Sequence, residues 1–513
     1  MSRRTPAFVL VASLLGTMLF FAGCKVGPDF KAPQAPVNKD WSGKGDPRIA
    51  TQTAADSRWW KVFNDPALDQ LVDRAYKQNL PLQVAGLRII EARAELGIAT
   101  GRQFPQIQFA SASSSAIGIS QNATPVQNFD YHFIDYQLGF DAVWELDLWG
   151  KYRRGVEASA AGLVASVADY YYGIISLTAE VARTYAVIRT IEVLIELANE
   201  NVRVQEQGLQ IADSRYRNGA TSELDVVQAT TQLESTRATV PDLMTRLQQA
   251  RNALATLLGQ TTGTVEALLA GPKQIPKAPA KIAVGVPAEI LRRRPDIRSA
   301  EFIAAAQCAR VGIAKAELYP SFSLVGSIGL RGSNAGGDFR TLFAADSIYY
   351  QAGPAINWPF FTYGRLTNRV RVEDARFQRS LVDYVNTVLR AAQEVEDALA
   401  GFLNAQQALV FEERSVTAAS RSVEISIVQY REGAVDFQRV LDAQRALLEQ
   451  QNALAETRSA IAINLIALYK ALGGGWEVRE GQPVVRESTE RQMKQRTNWG
   501  DVLSEPRAPE VTR

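Results

Sequence analysis

The 513-residue chain has very little histidine, cysteine or methionine: one His, two Cys and four Met. Since His132, Cys24 and Cys308 are its only imidazole and thiol groups, it has too few ligands for a His- or Cys-built metal site. Cys308 lies in a helical run and is expected to be a buried free thiol. We therefore predict no disulfide framework, no metal site and no cofactor.

An excess of charge of one sign is also missing. The 56 Lys and Arg residues nearly balance the 54 Asp and Glu residues, and loss of an N-terminal leader containing Arg3 and Arg4 would make the charges equal. No basic tract is present. Nothing in the composition would attract nucleic acid as a polyanion, so we predict no nucleic-acid partner.

Sequence motifs for catalysis are absent too. The chain contains no GxxxxGK[ST] and no HExxH. The glycines at 473–475 follow a helix and are expected to cap it. His132 is interpreted as a lone loop residue, and Glu394 and Glu396 as members of solvated helix faces. We therefore predict that the chain is not an enzyme.

Long apolar runs are confined to the N-terminus. Arg3 and Arg4 precede an apolar stretch that ends in Phe21-Ala22-Gly23-Cys24. This stretch is too short to span a bilayer comfortably, so residues 1–23 are predicted to be a lipoprotein signal peptide and Cys24 a lipidated, outer-membrane-anchored N-terminus. Lys25 after the cysteine permits sorting to the outer membrane. Any later membrane crossing would need a closed β-barrel, because no further run has the length of a spanning helix.

The two halves of the chain repeat one another. The turn Tyr216-Arg217-x-Gly219-Ala220 recurs 214 residues later as Tyr430-Arg431-x-Gly433-Ala434, and Trp144 matches Trp358 at the same offset. We predict a signal peptide (1–23), an N-terminal anchor and equatorial segment (24–75), a first repeat (76–259), a Pro-rich equatorial linker (260–296), a second repeat (297–475) and a polar equatorial segment with a tail (476–513).

Each repeat is predicted to contain a helix, two strands and a pair of long helices. The strands are expected at about 105–118, 135–147, 320–331 and 347–358, and the tips of the helix pairs near 217–224 and 431–438. The strands alternate between apolar and polar residues, as in a sheet with two different faces. Four strands are too few to close a barrel, for which about eight is the minimum, so other copies of the chain should complete it.

Aromatic residues cluster where the strands meet the helices, and polar loops join the opposite strand ends. This pattern is typical of an aromatic girdle at one membrane interface. The predicted girdle consists of Trp144, Trp149, Trp358 and Tyr363.

The long helices carry a coiled-coil signature. Residues 153–217 contain no proline and would span roughly 100 Å as one helix. Pro241 is compatible with a kinked return helix or with two shorter helices. In the second half apolar residues recur every seven positions, which predicts a narrow helix–helix seam. They are Val440, Leu447, Leu454, Ile461 and Leu468.

Several stretches together resemble the TolC-like outer membrane factor family, in its lipoprotein branch of the OprM/NodT type. The resemblance covers nearly the whole chain. The stretches are CKVGPDF at 24–30, WELDLWGK at 144–151, LRRRPDIR at 291–298, YREG at 430–433, DAQR at 442–445 and YKALGGGW at 469–476.

The resemblance implies a mixed α and β fold and a homotrimer. Three copies of four strands would form one 12-stranded outer-membrane β-barrel, continuous with a long α-helical coiled-coil tunnel in the periplasm. It further implies a periplasmic adaptor (membrane fusion) protein and an inner-membrane pump of the RND type as partners. The expected function is a passive exit duct of a tripartite efflux system for drugs or other toxic small molecules.

The resemblance also implies a closed aperture at the tips. The family's ring of aspartates and the arginine three residues later match Asp442 and Arg445, and an acidic tip position matches Asp225. The family's apolar residue before them is Gln438 here, a departure from a hydrophobic plug. A carboxylate ring would attract cations and repel anions. From the residues alone, Asp442 and Arg445 would be a surface ion pair one helical turn apart.

The turns themselves have two possible roles. Tyr216 or Tyr430 could hydrogen-bond across neighbouring helices and hold the aperture shut. Gly219 and Gly433 would supply the positive φ of a tight turn, and with Ala220 and Ala434 are candidates for adaptor contact.

Three alternatives stay open at this point: a type I protein secretion duct, a periplasmic coiled-coil lipoprotein scaffold without a pore, and a copper- or silver-export duct. The lipidation signal favours efflux, and the alternating strands with their aromatic girdle disfavour the scaffold. Only four methionines are present, which is a weak argument against a metal path.

Overall fold

The structure, a computed structural model, describes residues 25–50, 57–120, 122, 131–335 and 339–503, except for the side chains of 288–290. The predicted signal peptide and Cys24 lie outside the described residues. The helices are α1 (Pro66–Gln78), α2 (Leu80–Gly101), α3 (Lys151–Arg217), α4 (Glu223–Leu257), α5 (Pro287–Arg293), α6 (Pro295–Ala316), α7 (Arg365–Arg431), α8 (Phe437–Ala471) and α9 (Glu487–Arg496). The strands are β1 (Ile49–Ala50), β2 (Ile107–Gly118), β3 (His132–Leu146), β4 (Ile282–Ala283), β5 (Ser321–Ser333) and β6 (Ile348–Asn357).

Four of the strands form one antiparallel sheet in the order β2-β3-β5-β6. β3 pairs with both β2 of its own repeat and β5 of the next, so the sheet joins the two halves of the chain. In the described part of the chain, β2 and β6 each pair on one side only and are the edges of the sheet. The predicted alternation and the four-stranded sheet are confirmed.

The internal repeat is visible in helix lengths and in matching contacts. α3 and α7 both have 67 residues, and α4 and α8 both have 35. The long helices start after Gly150 and Gly364, which have positive φ values of 76° and 81°. Pro241 lies inside α4, so the first return segment is one helix. At 1.5 Å per residue the long helices reach roughly 100 Å.

The seam of α8 is apolar with polar layers. Val440, Leu447, Ile461 and Leu468 are buried, as the heptad predicts, and Leu454 is half-buried. The polar layers lie between α3 and α8. Thr190 donates to Ser459 at 2.8 Å, and Asn201 donates to Gln451 at 2.7 Å. Such buried polar pairs fix the register of a coiled coil, since sliding the helices would leave each group without a partner.

The segments that flank the repeats pack around the middle of the helices. β1 and β4 pair in parallel and connect the N-terminal segment with the linker between the repeats. Trp59 is fully buried, and its ring stacks on Tyr469 with centroids 5.3 Å apart. Arg189 pairs with Glu192 at 2.8 Å and donates to the carbonyl oxygen of Leu269, so a buried charge pair fastens the linker to α3.

The structure corrects the interpretation of Glu394, Glu396 and His132. It confirms that of Cys308. Glu394 and Glu396 do not simply form a solvated face: Glu394 accepts from buried Arg294 at 2.8 Å, and Glu396 accepts from the backbone amide of Ser42 at 2.9 Å. His132 is the first residue of β3 instead of a loop residue. Cys308 is a buried free thiol, as expected.

Of the helices in the described residues, one, α3, contains an 18-residue stretch apolar enough to cross a membrane, and half of that stretch is buried inside the chain. Core helices share this property, so it is weak evidence for a membrane span. Ile174, Val181 and Tyr185 of this helix belong to the main hydrophobic core.

Candidate functional site

The tips of the two long helix pairs are built on the same backbone turn. Gly219 and Gly433 have positive φ values of 69° and 76°. The amide of Ala220 donates to Arg215 O, and the amide of Ala434 donates to Gln429 O, both at 2.8 Å. These bonds satisfy the last carbonyl groups of each helix. Both turns are exposed.

A hydrogen bond joins the tips of the two repeats. The hydroxyl group of Tyr430 donates to Asp225 Oδ2 at 2.8 Å, and the hydroxyl group of Thr221 donates to the same oxygen. Tyr430 is only 2% exposed. Its burial and its bond to Asp225 raise the pKa of Tyr430 to about 12, so the phenol remains a protonated donor at neutral pH.

Arg215 holds both tips at once. Its guanidinium carbon lies 4.7 Å from the centroid of the Tyr430 ring, within cation–π range. The same group donates to the carbonyl oxygens of Tyr430 and Arg431 in the second repeat and of Ala220 in the first. Arg215 was not among the residues predicted from the sequence, although the repeats differ at this position: the residue before Tyr430 is Gln429.

Three of the residues expected to form the aperture, Gln438, Asp442 and Arg445, lie in the first three turns of α8. Gln438 Nε2 donates to Asp442 Oδ1 at 2.9 Å, so the residue that replaces the apolar plug binds the aspartate instead. Arg445 Nε donates to Gln232 Oε1 of α4 at 2.8 Å. Asp442 and Arg445 do not pair with each other. Gln438, Asp442 and Arg445 are all exposed.

A small apolar cluster packs beside the polar contacts of the tips. The ring of Tyr430 packs on Phe437 with centroids 5.0 Å apart. The other buried members come from three helices and are Ala212, Ala229, Val440 and Leu441. Tyr216, the counterpart of Tyr430, is 42% exposed and lies outside this cluster. The structure therefore brings Asp225 and Tyr430 together and leaves Tyr216 apart.

At the other end of the molecule the sheet has one apolar and one polar face. Phe140, Ile328 and Tyr350 lie in one row of paired residues and are 65%, 57% and 81% exposed. Asp141, Ser327 and Gln351 form the adjacent row on the opposite face. A large exposed apolar face next to a polar one is typical of barrel strands that separate lipid from a water-filled interior.

The aromatic residues expected at the strand–helix junction have different environments. Trp144 donates to Gln103 O at 3.2 Å, and Trp358 makes the equivalent bond to Leu318 O at 3.3 Å. Tyr363 is fully exposed. Trp149 instead packs inward: it donates to Pro320 O at 2.7 Å and stacks on Tyr319.

A second aromatic cluster at the opposite end of the sheet was not anticipated. Tyr136 of β3 meets Phe339 edge-to-face at a centroid distance of 5.0 Å, and Phe339 meets Phe343 at 5.9 Å. Phe339 and Phe343 belong to a short 3₁₀ segment between β5 and β6. The sequence signal was the Phe-x-x-x-Phe spacing in a loop that was otherwise interpreted as polar.

The chain that follows Cys24 is clamped where the sheet meets the helices. Val26 N donates to Trp149 O at 3.1 Å. Arg154, whose side chain is fully buried, donates to Val26 O at 3.3 Å and to Asp29 at 3.0 Å. Lys25 forms an ion pair with Glu157 at 2.9 Å. Within the described ranges, no group of three His, Cys, Asp or Glu residues is arranged to hold a metal ion.

The family model described as "Outer membrane efflux protein" matches residues 71–260 and 286–474, one segment for each repeat. The chain belongs to the outer membrane efflux protein family. Its TolC-like fold of long helices with four strands per chain is that of the family's solved channels. This outer membrane efflux protein is the outer-membrane channel of an efflux system, and its activity is transport and not catalysis.

The relatives extend over nearly the whole chain. The cation efflux system protein CusC of Escherichia coli O6:H1 is 28% identical over 460 residues, which are 90% of this chain and 97% of CusC. The probable outer membrane lipoprotein SilC of Salmonella typhimurium is 29% identical, with coverage of 91% and 99%. The toluene efflux pump outer membrane protein TtgC of Pseudomonas putida is 31% identical, with coverage of 93% and 98%.

Solved structures agree with the fold. The outer-membrane channel OprN superimposes with a TM-score of 0.83 and 33% sequence identity, covering 88% of this chain and all of OprN. The Campylobacter jejuni outer-membrane channel CmeC superimposes with a TM-score of 0.80 and 26% identity, covering 93% of this chain and 99% of CmeC.

Proposed function

We propose that this outer membrane efflux protein is a homotrimeric, passive exit duct for small toxic molecules, closed at its periplasmic tips until an adaptor protein docks there. The observation that carries the proposal is the network of Asp225, Tyr430 and Arg215, which ties the tips of both repeats together. A duct that is held shut at one end needs such a releasable link.

Trimer formation is supported by the unpaired edges of the protomer. Within the described residues, strands β2 and β6 have a free edge each, and free edges are open to pairing with another copy. The outer helices also expose apolar residues near the tips, among them Leu224 and Val227 on α4 and Val428 on α7. Three copies would supply 12 strands to one barrel, enough for a central passage.

The apolar face of the sheet would then meet lipid, and the polar face would line the lumen. Trp144, Trp358 and Tyr363 would form the girdle at the periplasmic interface, while Trp149 would anchor the junction from inside. Lipidation of Cys24 would add a second membrane attachment, and the clamp at Arg154 would hold that anchor beside the girdle. The segments 24–75, 260–296 and 476–513 would form the equatorial belt.

Gating would depend on residues at three levels of the tip. Asp225, Tyr430 and Arg215 would fasten the loops. Asp442, with Gln438 bound to it, would form a ring that favours cations, and Arg445 would tie α8 to α4 through Gln232. The exposed turns at Gly219-Ala220 and Gly433-Ala434 would receive the adaptor, which connects the duct to an RND-type inner-membrane pump.

The substrate class is proposed to be organic. TtgC is named for toluene efflux, whereas CusC is named for cation efflux, so similarity alone favours neither. The four methionines of the chain and the polar lumen face argue for a duct without metal-binding steps. Deletion of the gene should sensitise cells to organic toxicants, and complementation should restore resistance; sensitivity to copper or silver alone would contradict the substrate class.

Conductance of the purified protein in planar bilayers tests the duct itself. We expect a small unitary conductance from the wild type, because the tips are closed, and a larger one after Asp442→Ala and Arg445→Ala. Absence of any channel in both preparations would refute the pore and favour a scaffold. Secretion of a protein substrate through this channel would favour a type I secretion duct.

A further inference from the structure

Tyr349 lies in an unusual row of the sheet. The register aligns Ser111 of β2, Gly139 of β3, Gly329 of β5 and Tyr349 of β6 directly opposite one another. Residues so aligned share a face, and this row belongs to the polar face with Asp141 and Gln351. One large ring therefore stands beside two positions that have no side chain.

The Tyr349 side chain lies along the sheet and covers both glycines. A Cβ atom added to Gly139 would lie 2.8 Å from the Tyr349 hydroxyl oxygen, and one added to Gly329 would lie 2.9 Å from Tyr349 Cε1. Gln137 Nε2 on β3 donates to that hydroxyl oxygen at 2.6 Å. The ring thus starts on β6, crosses β5 and is held by its far end at β3.

The backbone dihedral angles do not explain these glycines. Neither Gly139 nor Gly329 has a positive φ, so an L-residue would suit the backbone dihedral of either position in that respect. A side chain at Gly139 would instead occupy the space in which the Tyr349 ring lies. Glycine weakens a strand, and an aromatic ring laid over it restores the lost contact.

We propose that Gly139 and Gly329 form a slot that keeps Tyr349 flat against the lumen wall, and that this positioning keeps the barrel lumen wide. The inference rests on the proposed trimeric duct, in which three such rings lie at one height of the barrel. A ring displaced from the slot moves away from the sheet and towards the lumen, because the backbone of β3 and β5 lies on its other side. Tyr349 lines the lumen wall, and the width of the lumen depends on the position of its ring. The side chain of Gln137 holds that ring in place.

Gly139→Ala is the most specific test. The nearest atom to its new methyl group is the end of the Tyr349 side chain, and the next is a carbonyl oxygen at 3.3 Å. Gly329→Ala is less informative because its Cβ would also lie 2.4 Å from Leu138 O and strain the strand pairing itself. Gly353→Ala is the matched control: Gly353 is on the same face of β6, and its Cβ would meet nothing within 4 Å.

The experiment is done in an Asp442→Ala/Arg445→Ala background, in which the tips no longer limit the current, and this open-tip protein is the reference. It measures unitary conductance in planar bilayers, together with exclusion of polyethylene glycols added from the extracellular side, which samples the barrel before the tips. Gly139→Ala in this background should lower the conductance and exclude smaller polymers than the reference does. Gly353→Ala should match the reference, and Gly139→Ala/Tyr349→Ala should regain at least the reference values.

Each outcome is decisive. In the open-tip background, an unchanged conductance for Gly139→Ala, or a Gly139→Ala/Tyr349→Ala channel as narrow as that of Gly139→Ala, would overturn the slot. An open-tip reference protein without any channel would instead refute the proposed duct. Where Gly139→Ala fails to assemble, Gln137→Ala adds no atom to the sheet and releases the same ring. It should increase open-channel current noise, and Gln137→Ala/Tyr349→Ala should abolish that noise; equal noise in both would contradict the proposal.

Discussion

Tyr430 donates its hydroxyl group to Asp225 across the boundary between the two repeats, at 2.8 Å. The matching tyrosine of the first repeat, Tyr216, occupies the same place in its turn but is exposed. The two tips are therefore similar in backbone and different in their side-chain contacts. The second repeat supplies the donor, and the first supplies both the carboxylate and the arginine that covers the donor's ring.

Tyr430→Phe is expected to loosen the closed tip. The substitution keeps the ring on Phe437 and removes only the bond to Asp225. A hydrogen bond to a charged group contributes about 1.5–3 kcal/mol, so the closed state of each protomer should lose roughly tenfold or more in population relative to the open one. The readout is a higher bilayer conductance. Tyr216→Phe, at the matching position, should leave the conductance unchanged; equal effects from both would show that the link does not hold the tip.

High pH should open the same link. The pKa of Tyr430 is about 12 in the closed tip, above the ordinary value of 10.0. A raised pKa means that the open or unfolded tip releases the proton first, so the closed tip keeps its full stability below pH 10 and loses stability as pH rises towards 12. Conductance should rise over this window in the wild type and stay level in Tyr430→Phe. A phenolate difference titration between the two proteins that places the extra tyrosine near pH 10 would contradict the assignment.

Arg215→Lys should weaken the tip although it keeps the charge. A lysine ammonium group cannot donate to carbonyl oxygens of both loops and lie flat on the Tyr430 ring in the way that a guanidinium does. We expect a conductance increase similar in size to that of Tyr430→Phe, and little further increase in the double variant, since both residues hold one link. Arg217→Lys is the control, because Arg217 is exposed and, among the residues that the structure describes, pairs only with Asp213 of its own helix. Additive effects of Arg215→Lys and Tyr430→Phe would show that the two residues act independently and do not hold one link.

Much of the fold could be predicted because its signals are periodic. Heptads ending at Leu468, alternation around Phe140 and the repeated turn at Gly219 and Gly433 each report local geometry, and local geometry sets long helices, strands and tips. The repeat then fixes how these elements follow one another. Family resemblance supplied what periodicity cannot, namely the prediction that Asp442 and Arg445 belong to an aperture.

The features that could not be predicted from the sequence are contacts between residues far apart along the chain. Arg215 reaches the second tip only because α3 and α8 pack side by side, and no local pattern reports that pairing. Glu394 looks like part of a solvated face until Arg294, 100 residues away, is placed against it. The slot under Tyr349 depends on the register of three strands. A shift of the register by two residues would preserve the alternation of apolar and polar residues, so the sequence pattern does not determine the register.

Asp442→Asn should reduce cation selectivity without opening the duct. The amide keeps the size of the side chain and can still bond to Gln438, but three symmetry-related charges disappear from the aperture. The reversal potential in a salt gradient should move towards zero, while the conductance changes little. Asp213→Asn removes a carboxylate from α3 near the tip and should leave the reversal potential unchanged. A shift of the same size from both variants would place the selective ring elsewhere.

Arg154→Met tests whether the N-terminal clamp stabilises the chain near its anchor. Arg154 is fully buried and donates to the carbonyl oxygens of Val26 and Gly27, so methionine fills the space but leaves those acceptors without a donor. We expect a loss of about 3 kcal/mol in stability and faster proteolytic cleavage near residues 25–29, because unpaired buried polar groups each cost about 1–3 kcal/mol. Arg183→Met removes a half-exposed ion pair with Glu180 and should change stability by no more than about 0.5 kcal/mol. Thermal unfolding and limited proteolysis of the two variants in parallel make the comparison; similar midpoints with an uncleaved N-terminal segment in Arg154→Met would show that Lys25 and the backbone bond to Trp149 suffice.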